Sequence, residues 1–376
     1  MAAPSFLIED QLSAFLTYIG LPASLRNQRS TGDAKTDLHF LTQLHIHTIS
    51  TIPYDNLWLH YSATHINTIL PASKFTNIVT AARGRGGYCF QVSLLFNHVL
   101  RALGFAAYLA PVRIRHRVDG VPHGDFSGWV HLVNLLTLSD GSKWSFDVAF
   151  GGDGPTAPVR LVHDIVQTNL GSQQIRLFRD WIPSQLLRTE ESKLWVYQYR
   201  NGEAAAWNSF YAFGEQEAME ADFGNLNWYT GSHPESFQTF TCIVVKFLRR
   251  EKTNNADATS QIHVNGAPFH PFDQEIYGKR MLVNGVVKEN LGGKTAIVED
   301  CQTEDERVEA LEKWFGIRLT EEERLGIKGW GTELRGDGSE GVLRRQAGGK
   351  GEVWEFRRGK EWGRVWRGEV RKENGV

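Results

Sequence analysis

The sequence predicts an α+β protein that opens with helices, passes into strands and closes on a mixture of both. Three observations carry that prediction. Apolar residues recur at a helical period near the start, with Leu7, Leu12, Phe15, Leu16 and Ile19 on one face and Leu38, Leu41, Leu44 and His45 on another. After Gly104, short runs rich in β-branched and aromatic residues take over, separated by Gly, Pro and Asp. Beyond Gly214 both patterns occur. A length of 376 residues fits two or three domains. The changes of pattern cut the chain into a helical domain at 1–104, a strand-rich domain at 105–213, a mixed domain at 214–340 and a basic segment at 341–376.

Within the strand-rich part, Phe105 to Arg115, Trp129 to Leu138, Lys143 to Phe150, Leu194 to Tyr199 and Ser209 to Phe213 read as strands of an antiparallel sheet or barrel. Asp119-Gly120, Asp140-Gly141 and the run Gly151-Gly152-Asp153-Gly154-Pro155 punctuate them, and Asp140-Gly141 predicts a hairpin joining the second and third. Later come a helix around Glu215 to Trp228, strands at Phe240 to Leu248 and Arg280 to Val287, and a helix from Thr303 to Phe315. Thr303 with Glu306 three positions on predicts a capping box. The polar stretch Lys246 to Gly266 reads as an exposed loop between two strands. Residues 341–376 carry ten Lys/Arg against five Glu, with Trp354, Trp362 and Trp366 among them. A terminal hairpin explains them better than nucleic-acid binding, because the chain as a whole is nearly neutral.

Charge and cysteine content exclude several function classes. With 41 basic and 43 acidic side chains the formal net charge is −2, which gives no global attraction to nucleic acid or anionic membranes. Apolar residues at 41% and charged residues at 22% are ordinary for a soluble chain. Three widely spaced cysteines form neither a disulfide framework nor a paired zinc site, so a reducing, cytoplasmic compartment is expected. Glu9-Asp10 interrupts the apolar start and no long apolar run follows, so neither a signal peptide nor a membrane span is expected. No P-loop spacing and no His-Glu-x-x-His occur, so no nucleotide-phosphate loop and no catalytic metal are expected.

The chemistry concentrates around Cys89. Arg83-Gly84-Arg85-Gly86-Gly87-Tyr88-Cys89-Phe90-Gln91 runs straight into the apolar helical stretch Val92 to Leu103, so the thiol sits where a glycine turn becomes a helix. Backbone amides at such a terminus favour a thiolate, Arg85 would add to this, and the two glycines would let a substrate approach. A buried structural cysteine fits the position equally well, so its partners decide. A nucleophilic thiol needs an imidazole base and a group to fix the ring. His131 in Gly128-Trp129-Val130-His131-Leu132-Val133 and Asp147 in Trp144-Ser145-Phe146-Asp147-Val148 lie in apolar strands, and pairing about Asp140-Gly141 would bring their mid-points together. Singly, each reads as an ordinary structural residue.

Together these residues resemble the arylamine N-acetyltransferases. The family's Arg-Gly-Gly-x-Cys motif stands as Arg85-Gly86-Gly87-Tyr88-Cys89, its histidine matches His131, 42 positions on, and its aspartate matches Asp147, a further 16 on. Ile52-Pro53-Tyr54-Asp55-Asn56-Leu57 is similar to the family's Pro-Phe-Glu-Asn-Leu segment. Phe150-Gly151-Gly152, Pro155-Thr156-Ala157-Pro158, Tyr229 and Ser232 to Phe237 extend the similarity over residues 5 to 325. Ser93 and Gln91 depart from residues common in the family, and the long polar loop and basic tail point to a eukaryotic, fungal member.

The resemblance implies a helical first domain, a β-barrel second domain and an α/β lid, with a cysteine-protease-like Cys-His-Asp core where the first two meet. It implies a ping-pong acetyl transfer from acetyl-CoA, or malonyl transfer from malonyl-CoA, to small aromatic amines or hydrazines. In it Cys89 is the nucleophile, His131 the base and Asp147 the orienting carboxylate. Ser127, Gly128, Gly151, Gly152 and Tyr229 would meet the coenzyme, and Trp129, Phe150 and Phe237 the amine. A role in xenobiotic metabolism, as a monomer or weak dimer without nucleic acid, membrane or metal, is expected. Two other classes fit the same triad: a thiol hydrolase or transglutaminase-like enzyme acting on peptides, and a non-catalytic protein that keeps the fold.

Overall fold

The structure, a computed structural model, describes residues 4–118, 120–252 and 273–336. It opens with α1 (Glu9–Tyr18), α2 (Ala23–Arg26), α3 (Ala34–Thr51), the two-residue strand β1 (Tyr54–Asp55), α4 (Leu57–His60), α5 (Pro71–Phe75) and α6 (Cys89–Ala102). Both expected helical faces are present: Leu12, Phe15 and Leu16 of α1 and Leu38, Leu41, Leu44 and His45 of α3 are buried. In α6 every residue from Cys89 to Leu100 is buried, as expected of a helix apolar on most sides that runs through the core.

Next come β2 (Tyr108–Val118), β3 (Val121–Thr137), β4 (Lys143–Phe146), β5 (Val159–Arg160), β6 (Gln167–Thr168), β7 (Gln173–Asp180), β8 (Leu194–Asn201) and β9 (Asn208–Phe213). They form one antiparallel sheet in the order β5-β4-β3-β2-β9-β8-β7-β6. The antiparallel sheet is as the strand pattern predicts, and it is a curled half-barrel where the resemblance implied a β-barrel, with two-residue strands at its two edges. The connection between those edges spans the gap, with Asp164 N donating to Leu177 O at 2.9 Å. Gly141, at φ 80°, makes the expected β3–β4 hairpin turn, and its N–H bonds Leu138 O at 2.9 Å. The expected start of the second strand at Trp129 is corrected to Val121. The polar run Val121 to Gly128 lacks strand alternation, yet it pairs with β2 through three register shifts.

The remainder comprises α7 (Glu220–Ser232), α8 (Phe237–Phe240), β10 (Ile243–Glu251), β11 (Gln274–Val283), β12 (Val286–Asn290), β13 (Ala296–Asp300), α9 (Glu304–Ala310) and α10 (Glu321–Gly326). The helix expected from Glu215 starts later because the Asp222 carboxylate accepts from Met219 N at 2.8 Å and caps the chain there. Arg280 to Val287 is not one strand: Asn284, at φ 55°, and Gly285 turn the chain between β11 and β12. The strand expected to end at Leu248 runs on through Arg249 to Glu251, where only loop was expected, and residues 253–272 lie outside the described region. The tail at 341–376 lies outside it too. The capping box is present, with Glu306 N donating to Thr303 Oγ1 at 3.3 Å and Thr303 N to Glu306 Oε2 at 3.1 Å.

One contact matters most for the site. Strand β1 is the edge of a second antiparallel sheet, β1-β10-β11-β12-β13, and Tyr54 also bridges Gly87 in parallel. The turn before Cys89 is thus stitched to a sheet built mainly of C-terminal strands. Gly86 is required by this stitching: its N–H bonds Asp55 Oδ2 at 2.6 Å, and a Cβ there would lie 1.9 Å from Pro53 O. Gly86→Ala is therefore expected to destabilise the protein by about 1–3 kcal/mol, as overpacking of a tight core does. Thermal unfolding checks this, and an unchanged midpoint would refute it.

Candidate active site

Cys89 is the first residue of α6, with Tyr88 in an extended conformation as its cap. The Gln91 side chain reaches back to accept from Tyr88 N at 3.1 Å and donates to Thr68 O at 2.9 Å, which fixes the turn. The thiol is 4% exposed, and Sγ lies 3.7 Å from Val130 O on β3. Strand and helix are locked in register one turn below: Asn134 Nδ2 donates to Ser93 O at 3.1 Å, and Asn97 Nδ2 donates to Asn134 Oδ1 at 2.9 Å. This register brings His131 to Cys89.

His131 and Asp147 do not meet at mid-strand, as expected, but diagonally past the end of the β3–β4 ladder. The last ladder pair is Asn134 with Phe146, so Asp147 stands one residue beyond it. Diagonal side chains of this length can still touch. His131 Nε2 lies 2.9 Å from Asp147 Oδ2, both groups are buried, and Asp147 Oδ1 accepts from Ala149 N at 3.2 Å. With Nε2 engaged, the ring's other nitrogen is left for Cys89, to which His131 is also hydrogen-bonded. Phe150 packs edge-on to the imidazole, with centroids 5.2 Å apart, and Tyr211 lies at 6.1 Å.

Burial alone would lower the His131 pKa, but the Asp147 charge and its hydrogen bond, with Cys89 beside them, raise it from 6.5 to about 10. The sign for stability follows. Because the folded value is the higher one, His131 contributes stability that is whole below about pH 6.5 and is lost as pH rises through about 10. Unfolding free energy measured by denaturant across that window is expected to fall with pH, and to fall less in Asp147→Asn. A steeper fall in the variant would contradict the pairing.

Two expected roles are corrected. Arg85 does not serve the thiol: it is fully buried, its NH1 donates to Glu323 Oε1 at 2.6 Å, its NH2 is 3.7 Å from Asp55 Oδ1, and it stacks 4.0 Å over Trp58. Gly86 and Gly87 make room for the chain itself and not for a substrate, since a Cβ on Gly87 would lie 2.6 Å from Gln91 Oε1. The other cysteines are no rivals, because burial raises Cys242 to about 12 and Cys301 to about 11. Ser93 keeps its backbone bond to Asn134, while its buried hydroxyl has no partner among the described residues.

A cleft of about 440 Å³ opens onto Cys89 and His131. Ser127, Gly128, Trp129, Phe150, Tyr229 and Phe237 all line it. Trp129 and Tyr229 are 49% and 43% exposed and form part of its rim, while a Cβ at Gly128 would meet nothing within 4 Å. Gly151 and Gly152 do not reach it. Gly151 borders a small cavity behind Phe150, and Gly152 O accepts from Lys279 Nζ at the second sheet. Tyr54, Thr230 and Gln238 also line the cleft and were missed as site residues. The segment around Tyr54 stood out in the sequence, but nothing local in it shows that β1 flanks the nucleophile.

The profile of the N-acetyltransferase family matches residues 37–260. This chain belongs to the arylamine N-acetyltransferase family. A Fusarium pseudograminearum protein named N-malonyltransferase FDB2 is 29% identical over 337 residues, 84% of this chain and 91% of that one. The arylamine N-acetyltransferase of Escherichia coli is 31% identical over 209 residues, 55% and 65% of the two chains. The Mycobacterium marinum arylamine N-acetyltransferase, solved in complex with CoA, superposes with a TM-score of 0.61 at 20% identity, covering 84% of this chain and 97% of that one. Membership of the arylamine N-acetyltransferase family makes the protein an acyltransferase, which sets aside the hydrolase and the non-catalytic alternatives. Among the described residues no helix is long and apolar enough to cross a membrane, and no cluster of His, Cys, Asp and Glu is arranged to hold a metal.

Proposed function

We propose that the protein transfers an acyl group from acyl-coenzyme A to an arylamine or arylhydrazine through an acyl-cysteine at Cys89. One observation carries this reading: a single imidazole, His131, joins the thiol at the floor of the cleft to the buried carboxylate of Asp147. His131 takes the thiol proton, and Asp147 fixes the ring and offsets its charge. The sulfur attacks the thioester carbonyl, and coenzyme A leaves with the proton from His131. The amine then attacks the acyl-cysteine, and His131 accepts its proton and returns it to the sulfur.

Only an amine that is neutral near pH 7 can attack, and aromatic amines meet that condition. Trp129, Phe150 and Phe237 are the apolar walls for such a ring, and Ser127, Gly128 and Tyr229 stand at the rim where the coenzyme would pass. Acetyl is the donor group that the cleft's charge favours, because no Lys or Arg is among the described residues lining it. Malonyl is favoured by the name of the Fusarium relative. Initial rates with an arylamine and either donor decide both points. Parallel double-reciprocal lines are expected, with the higher kcat/KM naming the donor, and intersecting lines would refute the acyl-cysteine.

A further inference from the structure

A chain of hydrogen bonds with a fixed direction ends at Tyr54. Asn56 is buried and its amide orientation is set by the backbone: Oδ1 accepts from Ile243 N at 2.8 Å, and Nδ2 donates to Thr241 O at 2.6 Å. Nδ2 also donates to Gln238 Oε1 at 3.0 Å, which fixes the Gln238 amide in turn. Gln238 must then present Nε2 to Tyr54, and it donates to the phenol oxygen. The Tyr54 oxygen is thus used as an acceptor, and its own proton has no acceptor among the described residues.

The residue that carries this proton stands beside the nucleophile. Tyr54 bridges Gly87, two residues before Cys89, through Asp55 N to Gly87 O at 3.1 Å and Gly87 N to Pro53 O at 3.4 Å, and it lines the same cleft as Cys89 and His131. Burial and the neighbouring Cys89 raise the Tyr54 pKa, so the phenol keeps its proton at neutral pH. When sulfur attacks a thioester, the carbonyl π pair moves onto oxygen, and a donor placed there lowers the barrier. Val130 O, 3.7 Å from the thiol on β3, is an acceptor and cannot do this.

We propose that the Tyr54 hydroxyl donates a hydrogen bond to the carbonyl oxygen of the acyl group under attack at Cys89, with Gln238 as the positioning residue that frees its proton. The inference rests on the acyl-cysteine reading. No proton is transferred by Tyr54: the C–S bond to Cys89 forms, the oxyanion is held, and the C–S bond to coenzyme A breaks as the carbonyl is restored.

Tyr54→Phe keeps the ring and removes only the donor. Single-turnover acylation without amine is expected to slow by about 10²–10³-fold with acetyl-CoA and malonyl-CoA alike. Alkylation of Cys89 by iodoacetamide, which forms no oxyanion, should stay within about twofold. Gln238→Glu should slow acylation as well, because a carboxylate still accepts from Asn56 but now also accepts the hydrogen bond of the Tyr54 hydroxyl, which is then no longer offered to the substrate; this variant carries the test if Tyr54→Phe does not fold. Acylation near the wild-type rate, a loss confined to malonyl-CoA, or an equal loss of alkylation would each overturn the proposal. A wild-type protein that takes no acyl group from either donor would defeat the acyl-cysteine reading instead.

Discussion

Cys89→Ser is expected to abolish acyl transfer while the protein stays folded. The hydroxyl is smaller than the thiol, so the pocket beside Val130 O still accepts it, and α6 keeps its cap because that cap is made by Gln91 and Tyr88. What is lost is the nucleophile, since His131 beside a serine hydroxyl must activate a far weaker acid. Removal of the nucleophile of a triad costs roughly 10⁴–10⁶-fold in turnover. Rates with an arylamine and acyl-CoA, read beside the far-UV circular dichroism spectrum, check it. Turnover near wild type would remove Cys89 from the mechanism, and a collapsed spectrum would mean that the thiol is structural.

Asp147→Asn is expected to lower kcat/KM by about 10⁴-fold, the cost of leaving a catalytic imidazole in the wrong tautomer without its counter-charge. Asp147 accepts from His131 Nε2 at 2.9 Å, so Nε2 carries a proton toward the carboxylate and the other nitrogen is the one that takes the proton of Cys89. An amide that donates to Nε2 would move the proton to the side that faces the thiol. Steady-state kinetics with the purified variant check the loss, and a rate within tenfold of wild type would refute the orienting role.

Much of this was legible in the sequence, for identifiable reasons. The triad stands in motifs where glycine, helix start and apolar strand are all local signals, and the two long helical faces of α1 and α3 follow from period alone. What escaped depends on contacts between segments distant in sequence. That Arg85 is engaged by Glu323, more than two hundred residues away, cannot be read from a motif in which it neighbours Cys89. The same holds for Tyr54, whose role depends on β1 joining β10 and Gly87. The edge strands β5 and β6 are two residues long and carry no pattern, so a curled open sheet reads as a barrel. The β11–β12 turn was an exception, because Asn284-Gly285 is a strong hairpin signal within a run read as one strand.

The central claim is that Cys89 carries the acyl group between donor and amine. Intact-protein mass spectrometry, with peptide mapping, after incubation with an equimolar mixture of acetyl-, propionyl- and malonyl-CoA and no amine tests it most directly. A single acyl adduct on the peptide bearing Cys89, released when an arylamine is added, is the expected result, and its mass names the donor. No adduct, or one confined to the peptides of Cys242 or Cys301, would contradict the account.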